Sequence, residues 1–303
     1  MEIQLEKQGS VSIIRLAGEM DMYTSSEFRE KFNGEYEKGT RKFIFDLFSL
    51  SYIDSTGIGT IIATFTSLRK QKGELYITGV HGVVKRVIEF TKLHSFLPLL
   101  PDVETAVCKM GGAAVDLPVS PTGRPIGNNG GGQTDLRGIM QNDHHPLFEK
   151  RGMYHKDFNL DLKKVRYLSQ IIVQKAPPVI REINLLEQQI SEILKNAVRH
   201  GNKNNPNKKV KIWFTFDEKT AHLIVEDEGD GFRDVEDWND FYRKKQTAFE
   251  SHDFEEMLKY VSYRTEESTE DDGGNALFAA VEFWNQGVIF NEKGNSVAVK
   301  RVY

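Results

Sequence analysis

Residues 51–73 read SYIDSTGIGTIIATFTSLRKQKG. The apolar positions after the turn are Ile58, Ile61, Ile62, Phe65 and Leu68. Their steps of three and four mark one face of an α-helix. The segment leading in, KFIFDLFSLSYI, is dense in aromatic and β-branched residues and reads as a strand. Ser55 and Thr56 therefore fall at a strand-to-helix turn. Backbone N–H groups lack helical partners there, and the helix dipole is positive. A hydroxyl at such a turn suits two roles. It can cap the helix, or it can stand exposed as an acceptor of phosphate.

Working outward, the N-terminal third alternates short strands and helices. VSIIRLAG, KFIFDLF and ELYITGV read as strands. TSSEFREKF and VVKRVIEFTKL read as helices, the first opened by Thr24 with Glu27 three positions on, a capping-box pattern. This alternation predicts a mixed α/β sheet with helices packed on it. Residues 111–133, GGAAVDLPVSPTGRPIGNNGGGQ, are rich in Gly, Pro and Asn and cannot bury a core. The expected division is an N-terminal domain at 1–107, a Gly/Pro-rich linker at 108–155 and a C-terminal domain at 156–303.

The last domain begins with two helical stretches, LKKVRYLSQIIVQKA and INLLEQQISEILKNAVRH. Pro177 and Pro178 stop the first, and the second ends near Gly201. Strands follow at KVKIWFTF and AHLIVEDEG, then at GVIFNEK and SVAVKRV. Two helices laid on an antiparallel or mixed sheet make an α+β arrangement.

Totals narrow the function classes. A chain of 303 residues with 39% apolar and 28% charged side chains fits a two-domain globular protein. A net charge of −4 argues against direct nucleic-acid binding. No apolar run approaches the roughly 18–20 residues that span a bilayer, so no membrane role is expected. The single cysteine, Cys108, suits a reducing cytoplasm. The eight histidines show no paired metal-ligand spacing.

The chemistry concentrates in the C-terminal half. In EILKNAVRHGN, Glu192, Asn196 and His200 are four residues apart and form one stripe along a helix. Ile190, Ile193, Leu194, Ala197 and Val198 make the opposing apolar stripe. Asparagine is a poor helix former, so its place mid-helix calls for a reason. A carboxylate and an amide one turn apart can act together on a hydroxyl and a metal ion. Then LIVEDEGDGF sets Asp227, Gly229 and Gly231 in a D-x-G-x-G pattern directly after a strand. Finally, EDDGGNALFAAVEF puts Gly273 and Gly274 before an apolar helix, where backbone N–H groups can approach phosphates.

In this order, the three motifs resemble the ATP-binding domain of the gyrase and histidine-kinase type. They are most similar to the serine-protein-kinase anti-sigma factors, over residues 156–303. The resemblance implies a two-layer α/β sandwich that binds ATP and Mg²⁺. It implies Glu192 as general base, Asn196 as Mg²⁺ ligand and Asp227 at the adenine amino group. Gly229 and Gly231 would shape the nucleotide pocket, with Gly273 and Gly274 at the phosphates. Ala276 stands where that pattern has its second glycine. The stretch from Phe232 to Asp272 would be the ATP lid. It carries a helical pattern at FEEMLKYVSYR and is acidic, which suggests that parts of it swing away from the nucleotide or pair with the basic NKNNPNKKVK.

Residues 1–107 resemble the STAS domain of anti-sigma factor antagonists, through LAGEMDMYTSSEF, SYIDSTGIG and the helix after it. That family's D-S-[ST]-G motif implies Ser55 as the phosphate acceptor, with Thr56 the alternative and Asp21 and Asp54 nearby. One half resembles a protein serine/threonine kinase and the other its substrate. The implied function is a cytoplasmic partner-switching regulator in transcription. Its kinase half would phosphorylate Ser55, in cis or in trans, to control binding of a sigma factor or another regulator. A reversible switch also implies a serine phosphatase, and two kinase halves pairing as a homodimer is an open alternative. Ala276 and the long lid motivate a second reading, a nucleotide-gated interaction protein without kinase activity.

Overall fold

The computed structural model describes residues 1–111, 138–180, 182–265, 268 and 274–303. The N-terminal half is built on a four-stranded sheet in the order β1-β2-β3-β4. Its strands are β1 (Glu2–Gln8), β2 (Val11–Met20), β3 (Lys42–Ile53) and β4 (Glu74–Thr78). β1 lies antiparallel to β2, with Leu5 opposite Ile14, while β3 runs parallel to both of its neighbours. The helices are α1 (Ser25–Glu37), α2 (Ser55–Lys70), α3 (Gly82–Phe90) and α4 (Val103–Met110). α2 buries Ile58, Ile61, Ile62, Phe65 and Leu68, the face read from the sequence. The other side of the sheet is closed by α4, whose Val103, Ala106 and Met110 pack on Val11, Ile13 and Ile44.

Two expectations for this half change. Thr24 takes helix-like angles, φ −100° and ψ −17°, and its side chain caps no backbone N–H. Its hydroxyl instead accepts from Asp21 N at 2.9 Å, so the capping box does not form. Nor do the hydroxyls of Ser55 and Thr56 cap α2. Asp54 does, accepting from Gly57 N at 2.9 Å.

The C-terminal half holds a six-stranded sheet in the order β5-β9-β10-β8-β7-β6. The strands are β5 (Ile139–Gln141), β6 (Tyr154–Asn159), β7 (Lys209–Phe216), β8 (Thr220–Glu226), β9 (Val288–Phe290) and β10 (Ser296–Val302). All pairings are antiparallel except β5 with β9. Helices α5 (Leu162–Val173), α6 (Ile183–Asn196) and α9 (Ala276–Phe283) form the second layer. On the opposite face, residues 146–153 cover Ile224, Ile289 and Ala298, and His222 Nε2 lies 2.8 Å from Leu147 O.

Residues 139–159 therefore depart from the composition-based boundary. β5, the turn Pro146–Phe148 and the start of β6 dock on the second sheet, although 108–155 reads as linker. α4 likewise runs on to Met110. These short pieces gain their stability from pairing with distant strands, which local periodicity does not report. Most of the Gly/Pro-rich stretch, 112–137, lies outside the described residues.

The lid interval also differs from expectation. It contains α7 (Val235–Ser251), a 17-residue helix, and only the six-residue α8 (Phe254–Lys259) where a longer helix is read. The basic segment expected beside it pairs instead with the acidic turn after β8. Lys208 Nζ donates to Glu228 O, and Lys211 Nζ meets Glu226 Oε1 at 2.7 Å. One apolar cluster runs through both halves, from Ile14 and Phe45 to Leu186, Leu223 and Phe278.

Candidate functional site

Ser55 is the first residue of α2, at the end of β3. Because Asp54 supplies the cap, the Ser55 hydroxyl is not tied to its own helix. It donates to Glu192 Oε2 at 2.8 Å, across 137 residues of chain. Ser55 N donates to Glu192 Oε1 at 3.1 Å, so one carboxylate holds both groups of the serine. Glu192 lies on α6 and is only 4% exposed. Of the polar stripe, Glu192 is buried against the N-terminal half, Asn196 is half-buried and His200 is exposed.

Lys195, three residues further along α6, completes the cluster. Its Nζ lies 2.8 Å from Glu192 Oε1 and 2.9 Å from Asp54 Oδ2. Burial works against its charge, yet Asp54 and Glu192 outweigh that cost and raise its pKa above the ordinary lysine value. Met22 N also donates to Asp54 Oδ2 at 3.2 Å, which brings the Asp21 loop against the Ser55 turn. The Asp21 carboxylate itself stays within that loop, accepting from Tyr23 N and Thr24 N. Thr56, the second residue of α2, is buried, and its carbonyl accepts from Thr60 Oγ1.

Around this centre the halves are joined by further polar contacts. Gln188 Nε2 donates to Ile53 O. Arg166 of α5 grips Glu19 with two hydrogen bonds of 2.7 and 2.9 Å and lies 3.7 Å over the Tyr52 ring. Its Nε is 3.3 Å from Glu187 Oε1. Burial pushes the Glu187 carboxyl up to about 7, with Arg166 pulling the other way. Glu182 bridges Arg86 of α3 and Arg301 of β10, each at 2.6 Å.

A second cluster forms around Asp227. Three segments meet there backbone to backbone: the π-type turn Ala197–Gly201 that prolongs α6, the turn after β8, and residues 293–294. A Cβ at Gly229 would collide with the Gly201 backbone. One at Gly231, which holds φ +88°, would collide with Lys293 O. Asp227 accepts from Gly229 N at 2.8 Å. Burial raises its pKa to about 6, against the pull of that N–H.

Asn196 closes α6 one turn beyond Glu192 and leads into this turn, so the helix links the two clusters. Gly274 has φ +63°, and its carbonyl accepts from Tyr263 N at 3.0 Å, which folds the lid back on the glycine turn. Gly273 lies outside the described residues. Two clefts of about 420 Å³ lie between the halves, and neither is lined by Asn196 or Asp227. One is among Tyr23, Asp161, Leu162, Lys163, Val198 and Asn204, and the other lies between the end of α2 and α8.

The residues fit a nucleotide at the base end. A half-buried carboxylate framed by glycine backbone is suited to accept from an amino group. Among the described residues, no group of three His, Cys, Asp or Glu could hold a metal ion. A single amide oxygen such as that of Asn196 agrees with the habit of Mg²⁺, which takes few protein ligands and relies on phosphates and water.

Lys195, Gln188 and Arg166 do not stand out in the sequence. Lys195 is three residues from Glu192 and so shares its side of the helix. A lysine on a polar stripe reads as solvated until something covers it.

Among the described residues no helix is long and apolar enough to cross a membrane. A family model described as the STAS domain matches residues 2–106, and one described as a histidine kinase-like ATPase domain matches residues 165–299. An anti-sigma-B factor antagonist of Staphylococcus aureus (strain NCTC 8325) is 33% identical over 97 residues, 32% of this chain and 90% of that protein. An anti-sigma F factor antagonist of Paenibacillus polymyxa is 24% identical over 111 residues, 36% of this chain and 95% of that one. Among solved structures, an anti-sigma factor antagonist from Mycobacterium paratuberculosis aligns with 36% of this chain and 92% of its own, at 23% identity and a TM-score of 0.34. The chain belongs to the anti-sigma factor antagonist family through its STAS domain, and it carries a histidine kinase-like ATPase domain on the same polypeptide.

Proposed function

We propose that this protein is a partner-switching regulator whose ATPase domain is a serine kinase for Ser55 of its STAS domain. The observation that carries the reading is the 2.8 Å hydrogen bond from Ser55 Oγ to Glu192 Oε2. A nucleophile in contact with a buried carboxylate has the geometry of general-base activation. The acceptor and the base sit in the N-terminal and C-terminal halves of the chain.

Ser55 Oγ forms a bond to the γ-phosphorus of ATP as the bond to the ADP oxygen breaks, and Glu192 takes the hydroxyl proton. ATP with Mg²⁺ supplies the phosphoryl group and neutralises the charge that develops on it. Asp227 would orient the base, Asn196 would offer an oxygen to Mg²⁺, and Gly229, Gly231, Gly273 and Gly274 would let the backbone approach the nucleotide. Lys195 balances the carboxylates of Asp54 and Glu192 while the serine is held.

A phosphoseryl group adds roughly −1.5 to −2 charges beside Asp54 and Glu192. That charge opposes docking of this turn and frees it for a sigma factor regulator or another partner. Since both domains belong to one chain, the competing partner faces an effective concentration on the order of mM. A serine phosphatase resets the switch. Exchange between two copies, as a homodimer, is the trans form of the same reaction.

The test is mass spectrometry of the full chain before and after ATP and Mg²⁺, with Ser55→Ala and Glu192→Ala in parallel. A phosphoryl group on Ser55, absent from both variants, is expected. Bound nucleotide without any mark on Ser55 would overturn the kinase reading. The second reading, a nucleotide-gated interaction protein, is favoured by the Tyr263–Gly274 contact across the glycine turn and by Ala276. It predicts nucleotide binding that changes docking and leaves Ser55 unmodified.

A further inference from the structure

Away from Ser55, the two domains meet at a second place of opposite chemistry. Phe254, at the start of α8, stacks on Phe96 with centroids 5.0 Å apart and planes 7° from parallel. It meets Phe65 of α2 edge-on at 5.7 Å, and the Arg69 guanidinium lies 4.7 Å from its ring centre. Phe249, at the end of α7, adds a stacked contact with Phe96 at 6.3 Å. Phe65, Phe96 and Phe249 are all buried. Beside them, Glu255 faces Arg69, Lys70 and Lys72 across a cleft of about 420 Å³ lined by both domains.

The cleft sets an acidic side chain of the lid beside basic ones of the N-terminal domain. The interval from Arg233 to Asp272 carries 13 acidic and 6 basic side chains. Its acidic helix start at α8 faces the basic end of α2. The other side of the lid is anchored to the ATPase domain. Trp238 packs on Phe278 of α9 at 5.4 Å, and Tyr242 donates to Glu282 at 2.8 Å. Lys245 Nζ lies between Phe249 and Phe278, 4.2 and 4.6 Å from the ring centres.

The contact at Ser55 is made of charges and hydrogen bonds, so it responds directly to charge placed on that residue. The lid contact shares no residue with it and depends on apolar area, cation–π attraction and complementary surface charge. A charge on Ser55 leaves those terms in place. We propose that the lid is a separate docking site for the STAS domain, one that recognises the aromatic pair Phe65 and Phe96 with the basic end of α2 and holds it whatever the state of Ser55. Modification of the serine would then open the acceptor turn while the domain stays attached through α8. The partner this surface fits is a STAS domain with aromatic side chains at those two places. This goes beyond the kinase reading and does not depend on it.

Hydrogen exchange on the full chain tests the idea, because Ser55→Asp places charge at the acceptor without any need for phosphoryl transfer. The variant is expected to raise exchange at least tenfold around residues 52–57 and 188–196. Residues 62–70, 93–97 and 254–259 should stay within twofold of the parent. Phe254→Asp, and independently the surface change Arg69→Glu, should raise exchange at 93–97 and 254–259 at least tenfold. Loss of protection at both places together in Ser55→Asp would overturn the proposal, as would unchanged exchange at 93–97 and 254–259 in both lid-contact variants.

Discussion

Lys195 stands between two carboxylates supplied by different domains, and its removal is the most informative single change at the site. Breaking a buried ion pair by deleting one partner costs about 3–5 kcal/mol, because the remaining charges lose compensation. Lys195→Met is therefore expected to weaken docking of the Ser55 turn and to lower Ser55 phosphorylation at least tenfold, with nucleotide affinity unchanged. Quantitative mass spectrometry beside a nucleotide titration separates the two effects. Asp227 makes a pH-dependent prediction. Burial raises its pKa to about 6, and an ionised carboxylate is what accepts from an adenine amino group. Binding would then favour the deprotonated form, so affinity holds above pH 6 and falls as pH drops below it. The loss is at most about tenfold per unit. Calorimetric titration of nucleotide from pH 7 to 5 checks it, with Asp227→Asn as the variant that flattens the profile.

At the level of elements, α2 shows how one residue serves both fold and site. Asp54 uses Oδ1 to cap the helix and Oδ2 to meet Lys195. Asp54→Asn keeps the cap oxygen and loses the ion pair. With Oδ1 kept as the cap, the new amide N–H groups face Lys195 Nζ and Met22 N, so a lowered melting temperature and a clear loss of Ser55–Glu192 docking by hydrogen exchange are expected. Asp54→Ala adds the cap loss of about 1 kcal/mol. The turn after β8 makes a steric demand instead. A side chain at Gly231 would meet both a left-handed φ of +88° and the backbone of residues 293–294. Gly231→Ala should lower the melting temperature by several degrees and abolish nucleotide binding, measured by calorimetry and titration.

For the whole molecule, the domains share a buried polar interface as well as apolar contacts. The Glu187 carboxyl, normally near 4.5, is pushed up to about 7 by burial despite Arg166. The folded chain thus binds this proton more strongly than the unfolded chain. Its contribution to stability is full below pH 4.5 and is lost as pH rises toward 7. Glu187→Gln should gain on the parent over that interval, by at most about 1.4 kcal/mol per pH unit, in thermal melts. Opposite behaviour would place the ionised carboxylate in a favourable environment and contradict the burial argument. The N-terminal domain is held through α6, α9 and the lid together.

The local elements were legible because their signals are local. The apolar face of α2, the three C-terminal motifs in order and the central strands of both sheets follow from periodicity and turn chemistry. β1, α4, β5 and β6 did not follow, since the partners that stabilise them are distant. The capping box at Thr24 failed for a related reason: the Asp21 loop offered its hydroxyl a better partner. Sequence alone determined that Ser55 heads a helix in one domain and that Glu192 lies on a polar stripe in another. Only the tertiary structure decided that these two meet, that Lys195 lies between their carboxylates, and that the acidic lid grips α2 through Phe254. A side chain's neighbours four residues away are set by helix geometry, whereas neighbours 137 residues away depend on how separately formed surfaces pack.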